Sequence, residues 1–120
     1  MDVTIYHNPR CSKSREALAL LRARGSEPTI VEYLHTPPSA AQLRILLAAL
    51  GMRARELVRD QEAAWAACGL HGVDDDARII AALVHHPELL ERPIVVRGSR
   101  AVLGRPPSNI ARLFECQRDD

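Results

Sequence analysis

The chain has 120 residues, of which 47% are apolar and 26% charged, and its net charge is +1. This length and composition are typical of one globular domain with a modest core, and we expect a monomer. The small net charge and the lack of long runs of like charge argue against nucleic acid as the main partner, and no apolar run approaches the roughly 20 residues that cross a bilayer.

The first 34 residues predict a β-α-β unit. A β-rich run at residues 3–6 is followed by an amphipathic helix at residues 14–24, which Gly25 ends, and by a second strand at residues 29–34. The two strands of such a unit are parallel and joined by a right-handed crossover.

The middle of the chain is predicted to be helical. Ser39 and Gln42 form a capping-box pattern that opens one helix, and residues 53–70 predict shorter helical pieces. Asp74 or Asp75 can cap another helix, which a His-Pro pair ends.

The C-terminal part predicts a β-hairpin and a final helix. Gly98-Ser99 is typical of a two-residue turn between strands within residues 94–104, and Pro107 or Ser108 starts a helix that extends through Cys116.

This order of elements resembles the thioredoxin and glutaredoxin architecture. It predicts an α/β fold with a mixed four-stranded sheet flanked by helices, in which the last two strands are antiparallel. A helical insertion at about residues 39–90 separates the β-α-β and β-β-α halves of one domain, residues 1–120. The resemblance implies a cis bond at Arg92-Pro93, whereas the general preference of X-Pro bonds is trans.

Cys11 lies where the first strand and an Asn-Pro pair lead into a helix, and a helix start favours an anion. A thiolate is therefore stabilised there, and nearby cations lower the pKa of a thiol further. Ser14, one turn later, can donate a hydrogen bond to the thiolate, or is a plain early-helix hydroxyl. The basic residues within reach along the chain are His7, Arg10, Lys13 and Arg15. The alternative for Cys11 is a small buried residue that fills space.

Three arginines occupy the ends of predicted elements. Arg59 follows a helical stretch, Arg92 precedes the third strand and Arg105 follows the fourth. The planar fork of arginine matches a tetrahedral oxyanion, so a shared anion site is one interpretation. The other is that each is a solvated surface side chain.

Four segments, "YHNPRCSKSR", "ELVRDQ", "ERPIVV" and "LGRPPS", resemble in order and spacing the glutaredoxin-dependent arsenate reductases of the ArsC family. The resemblance implies a cytosolic enzyme without a tightly bound cofactor. Cys11 would attack arsenate to form a thioarsenate adduct, glutathione would add as co-substrate, and glutaredoxin would take the mixed disulfide as arsenite is released. It also implies that His7 supports the thiolate and that Ser14 is the serine of the C-x-x-S motif. The oxyanion would be bound by Arg59, Arg92 and Arg105.

Other classes with related chemistry fit the motifs less well. The phosphatase-like arsenate reductases need C-x5-R, which none of the three cysteines has. Spx-type regulators, which bind RNA polymerase, usually carry C-x-x-C, whereas this chain has Ser14. A glutathione-dependent thiol reductase of another substrate shares the fold and the cysteine, and is the main alternative.

The remaining cysteines and histidines predict no further site. The odd number of cysteines forms no C-x-x-C pair, which suits free thiols in the reducing cytoplasm, and we interpret Cys68 and Cys116 as packing residues. The histidines at 71, 85 and 86 and the aspartates at 74–76 do not have a zinc or calcium spacing, so no metal is expected.

Overall fold

The computed structural model describes residues 3–70 and 72–114, which divide into two compact units. One unit, here called the β-rich unit, contains the chain up to Val31 and from Arg92 onward. The other, the helical unit, is Glu32–Glu91 and is longer than the predicted insertion. His71 and Cys116 lie outside the described residues.

The β-rich unit holds a mixed four-stranded sheet, as predicted. The elements are β1 (Val3–His7), α1 (Ser12–Ala23), β2 (Thr29–Glu32), β3 (Ile94–Arg97), β4 (Arg100–Leu103) and a 3₁₀ helix, Pro107–Phe114. The strand order is β2-β1-β3-β4, with β3 antiparallel to both β1 and β4. Helix α1 and the 3₁₀ helix bury apolar side chains against this sheet, and the resulting core contains Val3, Ile5, Ala17, Leu21, Val95, Val102, Ile110 and Leu113.

Two predicted boundaries and the type of one helix in the β-rich unit were wrong. Helix α1 begins at Ser12 instead of residue 14, because Cys11 is the extended N-cap residue. Strand β2 ends at Glu32 instead of residue 34, because the Glu32 carbonyl accepts turn hydrogen bonds from the N–H groups of His35 and Thr36. The last helix is 3₁₀ in its described part, and a pattern of eight residues hardly separates a period of 3.0 from one of 3.6.

The helical unit contains α2 (Ala40–Leu50), α3 (Ala63–Cys68) and α4 (Asp76–His85), with 3₁₀ turns at Ala54–Leu57 and Pro87–Leu89. Its local signals are confirmed. Ser39 and Gln42 form the reciprocal capping box, with hydrogen bonds of 2.8 and 3.1 Å, and Asp75 caps α4. Its buried residues include Leu43, Leu46, Leu57, Ile79, Ile80, Leu83 and Leu89. Among the described residues, no helix of either unit has the length and apolar content needed to cross a membrane.

The hairpin turn and the two arginine-proline pairs lie at opposite ends of strands β3 and β4. Gly98, with φ of 63°, is the first turn residue between β3 and β4, as a type II′ turn requires. The bond Arg92-Pro93 is cis, as the resemblance implied, and Arg105-Pro106 is cis as well, which the sequence did not predict.

Gly104 follows β4 and packs against Pro93. Its N–H donates to the Pro93 carbonyl at 2.8 Å, and a Cβ atom at position 104 would lie 2.8 Å from the Pro93 ring. The close approach of these two segments therefore requires glycine at position 104.

Candidate active site

The loop between β1 and α1 is organised by Asn8, a buried residue that sequence reasoning missed. Its carbonyl accepts the Cys11 N–H at 3.0 Å, and its side-chain oxygen accepts the Arg10 N–H at 3.0 Å. The second bond is an Asx turn, which the Asn-Pro pair could have signalled. These bonds fix the backbone of Cys11 at the start of α1.

The Cys11 thiol is partly buried and its chemistry is set by the helix start. Burial raises the pKa of the thiol. Hydrogen bonds from the Ser14 backbone N–H, the Arg92 side chain and the Lys13 backbone N–H lower it, as does the positive charge of Arg92. These effects together outweigh burial, so the pKa lies below its ordinary value. The thiolate is thus favoured at this position.

Ser14 contacts Cys11 through its backbone, while its hydroxyl is engaged elsewhere. The buried Ser14 Oγ lies 2.6 Å from His7 Nδ1 and accepts the Asn8 N–H at 3.0 Å. His7 is also buried, so these two predicted residues form a hydrogen-bonded pair inside the unit. In this structure the Ser14 hydroxyl is engaged by His7 and Asn8, and its predicted hydrogen bond to the thiolate stays a prediction.

Arg92 and Arg105 come together beside the cis-proline segments. Arg92 donates a hydrogen bond to Cys11, and Arg105 Nη1 lies 3.4 Å from the Arg92 carbonyl oxygen. The hydrogen bond between Gly104 and Pro93 joins the residues that adjoin these arginines. Two of the three predicted arginines are thus brought to the same part of the β-rich unit.

Arg59 belongs to the helical unit, where it lies between two carboxylates. It follows the 3₁₀ turn Ala54–Leu57, and its N–H donates to the Leu89 carbonyl at 2.7 Å. Its guanidinium lies 3.6 Å from both Glu62 and Glu91, and its side chain is 19% exposed. The predicted role of Arg59 in an oxyanion site stays a prediction.

The other basic residues of the loop act differently from what their charges suggested. Lys13 reaches the thiol through its backbone N–H, and Arg15 Nη1 donates to the Pro9 carbonyl at 2.9 Å. The side chains of Arg10, Lys13 and Arg15 are exposed. Arg92, distant in sequence, is the side chain whose charge lowers the pKa of Cys11.

Cys68 lies at the C-terminal end of α3 as a partly buried free thiol. Within the described ranges, no group of three histidine, cysteine, aspartate or glutamate side chains is arranged to hold a metal ion.

The fold and the site define a class: a thioredoxin-like protein with an activated cysteine at the start of its first helix. The model of the ArsC family matches residues 6–113. The chain therefore belongs to the ArsC family.

Three relatives have high identity to the chain over most of its length. An arsenate reductase of Neisseria meningitidis is 44% identical over 112 residues, which are 91% of this chain and 95% of the relative. The uncharacterized protein YfgD of Escherichia coli is 50% identical over 115 residues, covering 93% and 96%. The solved structure of an arsenate reductase from Vibrio cholerae superposes with a TM-score of 0.91 at 43% identity and covers 94% of this chain and 98% of that one.

Proposed function

We propose that this protein reduces arsenate to arsenite, with Cys11 as nucleophile, glutathione as co-substrate and glutaredoxin as the partner that regenerates the thiol. The observation that carries the proposal is the Cys11 thiol, whose pKa is lowered by backbone N–H groups and by Arg92. It is supported by relatives of 44% identity named arsenate reductase.

The first step uses the oxyanion chemistry of the helix start. The Cys11 thiolate attacks arsenic, a sulfur–arsenic bond forms, and one oxygen leaves as water after protonation. Arg92 and Arg105 stabilise the negative charge of the remaining oxygens in the adduct and its transition state. By the resemblance, Arg59 adds a third guanidinium; within the helical unit it is paired with Glu62 and Glu91.

The second step transfers two electrons to arsenic. A glutathione thiolate attacks the Cys11 sulfur, a disulfide forms, and the electron pair of the sulfur–arsenic bond stays on arsenic as As(V) becomes As(III). An external thiol is required because Ser14, three residues after Cys11, has a hydroxyl that forms no disulfide. His7 supports the thiolate through its hydrogen bond with the Ser14 hydroxyl.

Glutaredoxin completes the cycle by attacking the glutathione sulfur of the mixed disulfide, which leaves Cys11 as a thiolate again. Cys68 and Cys116 have no part in this scheme. We propose that the protein acts as a cytoplasmic monomer and that neither nucleic acid nor a membrane is its partner.

A coupled assay tests the activity. Arsenate should cause NADPH oxidation when glutathione, glutathione reductase and glutaredoxin are present, and omission of glutaredoxin should slow it. NADPH oxidation that does not depend on arsenate, although Cys11 is alkylated rapidly, would assign the protein to the thiol reductases of another substrate.

Mass spectrometry tests the resolving step. After one turnover with glutathione and without glutaredoxin, Cys11 should carry one glutathione. An internal disulfide between Cys11 and Cys68 or Cys116 as the main product, with turnover supported by thioredoxin alone, would contradict the glutathione scheme.

A further inference from the structure

A polar pocket lies in the β-rich unit, far from Cys11. Its volume is about 410 Å³, and its walls include Val3 at the start of β1 and Arg24 just after α1. Cys11 is at the other end of α1, a helix of 12 residues that is about 18 Å long at ~1.5 Å per residue. The pocket is therefore separate from the candidate active site.

Two arginines meet at this pocket around one aromatic ring. The guanidinium carbons of Arg24 and Arg97 lie 5.1 and 4.7 Å from the centroid of the Phe114 ring, and all three residues line the pocket. The two charges are thus at most about 10 Å apart, which is about one Debye length at 0.1 M salt. Their mutual repulsion favours an anion between or beside them.

No carboxylate of residues 3–70 and 72–114 forms an ion pair with either arginine. Glu27 also lines the pocket, but its carboxylate pairs with Arg22 at 3.1 Å. The positive charges of Arg24 and Arg97 are therefore not neutralised by the described part of the chain.

Arg97 is oriented by the fold and still has donors to offer. Its Nη1 donates to the Leu113 carbonyl at 2.7 Å, and its Nε is buried without a hydrogen-bond partner. Its Nη2 makes no hydrogen bond with the described residues. The hydroxyls of Ser26 and Thr29, which also line the pocket, make no hydrogen bond with the described residues. The Nη2 group of Arg97 and two hydroxyls thus remain as donors.

We propose that this pocket binds the phosphate group of a small phosphorylated molecule. One dianionic phosphate balances the charges of Arg24 and Arg97, and its oxygens accept from the guanidinium groups and from Ser26 and Thr29. The Phe114 ring holds the two guanidinium groups beside the pocket. The volume is within the range of small-molecule sites, roughly 300–1,000 Å³.

Titration with inorganic phosphate, followed by ¹⁵N NMR on the full chain, tests this inference. The resonances of Ser26, Thr29 and Arg97 Nε should shift and saturate, and more strongly at pH above about 7 than at about 5.5, because phosphate becomes a dianion over this range. Acetate at matched ionic strength is the control anion and tests whether a carboxylate binds equally well. Equal saturation by acetate would overturn the assignment to phosphate, and shifts confined to the loop around Cys11 would overturn the site.

Three variants make the test specific. Arg24→Gln and Arg97→Gln should each weaken phosphate binding at Ser26 and Thr29 by about tenfold, because each removes one charge-assisted contact. Arg100→Gln is the matched control: its guanidinium also donates to the 3₁₀ helix, at 2.7 Å to the Arg112 carbonyl, but it does not line the pocket. Equal affinity in all three variants would refute the proposal. If Arg97→Gln does not fold, Arg24→Gln decides the outcome, since Arg24 is exposed and makes no side-chain hydrogen bond with the described residues.

Discussion

Cys11 and Cys68 are both partly buried free thiols, but they occupy opposite ends of helices. Cys11 precedes α1, where backbone N–H groups and Arg92 lower the pKa of its thiol. Cys68 is the last residue of α3, where the helix presents carbonyl groups and the negative end of its dipole. The comparison teaches that exposure does not identify a reactive cysteine, whereas its position on a helix does.

The largest expected effect is on enzymatic activity, which should depend on Cys11 and not on Cys68. Cys11→Ser should abolish arsenate-dependent NADPH oxidation and leave the fold intact, because a hydroxyl can occupy the N-cap position without supplying the nucleophile. Cys68→Ala combined with Cys116→Ala should keep most of the activity. Circular dichroism checks the fold of each variant. Normal turnover by Cys11→Ser, or loss of turnover in the double variant, would reverse the assignment.

The next effect concerns the charge beside Cys11. Arg92→Ala should lower kcat by about 100-fold, the usual cost of removing one donor to a developing oxyanion. It should also raise the pKa of Cys11, so iodoacetamide should alkylate the thiol more slowly at neutral pH. Arg92→Lys should restore part of the activity, since it returns the charge without the fork.

Arg10→Ala is the matched control for Arg92→Ala, because Arg10 is an exposed arginine next to Cys11 in the β1–α1 loop, and only its backbone N–H bonds to Asn8. If the two alanine variants had the same alkylation rates and arsenate kinetics, Arg92 would have no special role at the thiol.

A smaller effect, on stability, should follow from Ser14→Ala. The change leaves the Asn8 N–H and His7 Nδ1 without their buried partner, which costs about 1–3 kcal/mol of unfolding free energy. The alkylation rate of Cys11 should change less, because the Ser14 N–H is kept. Ser12→Ala, at an exposed serine of the same helix, is the control. A large fall in alkylation rate with unchanged urea unfolding would show that the hydroxyl acts on the thiolate directly.

The smallest effect is a pH dependence of stability. Because the pKa of Cys11 is lower in the folded protein than its ordinary value of 9.0, the thiolate stabilises the fold. This contribution is fully present above the pKa of the unfolded chain and is lost as the pH falls through the folded pKa. The free energy of unfolding in urea should therefore be compared between Cys68→Ser and the double variant Cys68→Ser, Cys11→Ser. The difference between these two proteins should be larger at about pH 9 than at about pH 6. An equal difference at both values would contradict a lowered pKa.

Local sequence signals predicted most of the fold. The capping box at Ser39 and Gln42 and the turn at Gly98 depend on neighbours within a few residues, so their patterns were sufficient. The hydroxyl of Ser14 was harder to predict, because its partners His7 and Asn8 reach it through the turn of the β1–α1 loop.

The site was predicted in its residue types more than in its contacts. The motif pointed to Cys11 and Arg92, but their hydrogen bond joins residues 81 positions apart (92 − 11) and needs the folded sheet. The carboxylates around Arg59 lie three and 32 positions away (62 − 59 and 91 − 59), and the second of them has no local signal.

The contact between Gly104 and Pro93 has a consequence for preorganisation. Their main-chain hydrogen bond joins the neighbours of Arg105 and Arg92, so the separation of the two arginine backbones is set before any anion arrives. The entropy of bringing these two backbones together is then lost during folding instead of during binding. Slow hydrogen exchange of the Gly104 amide in the ligand-free protein would be the direct sign of this arrangement.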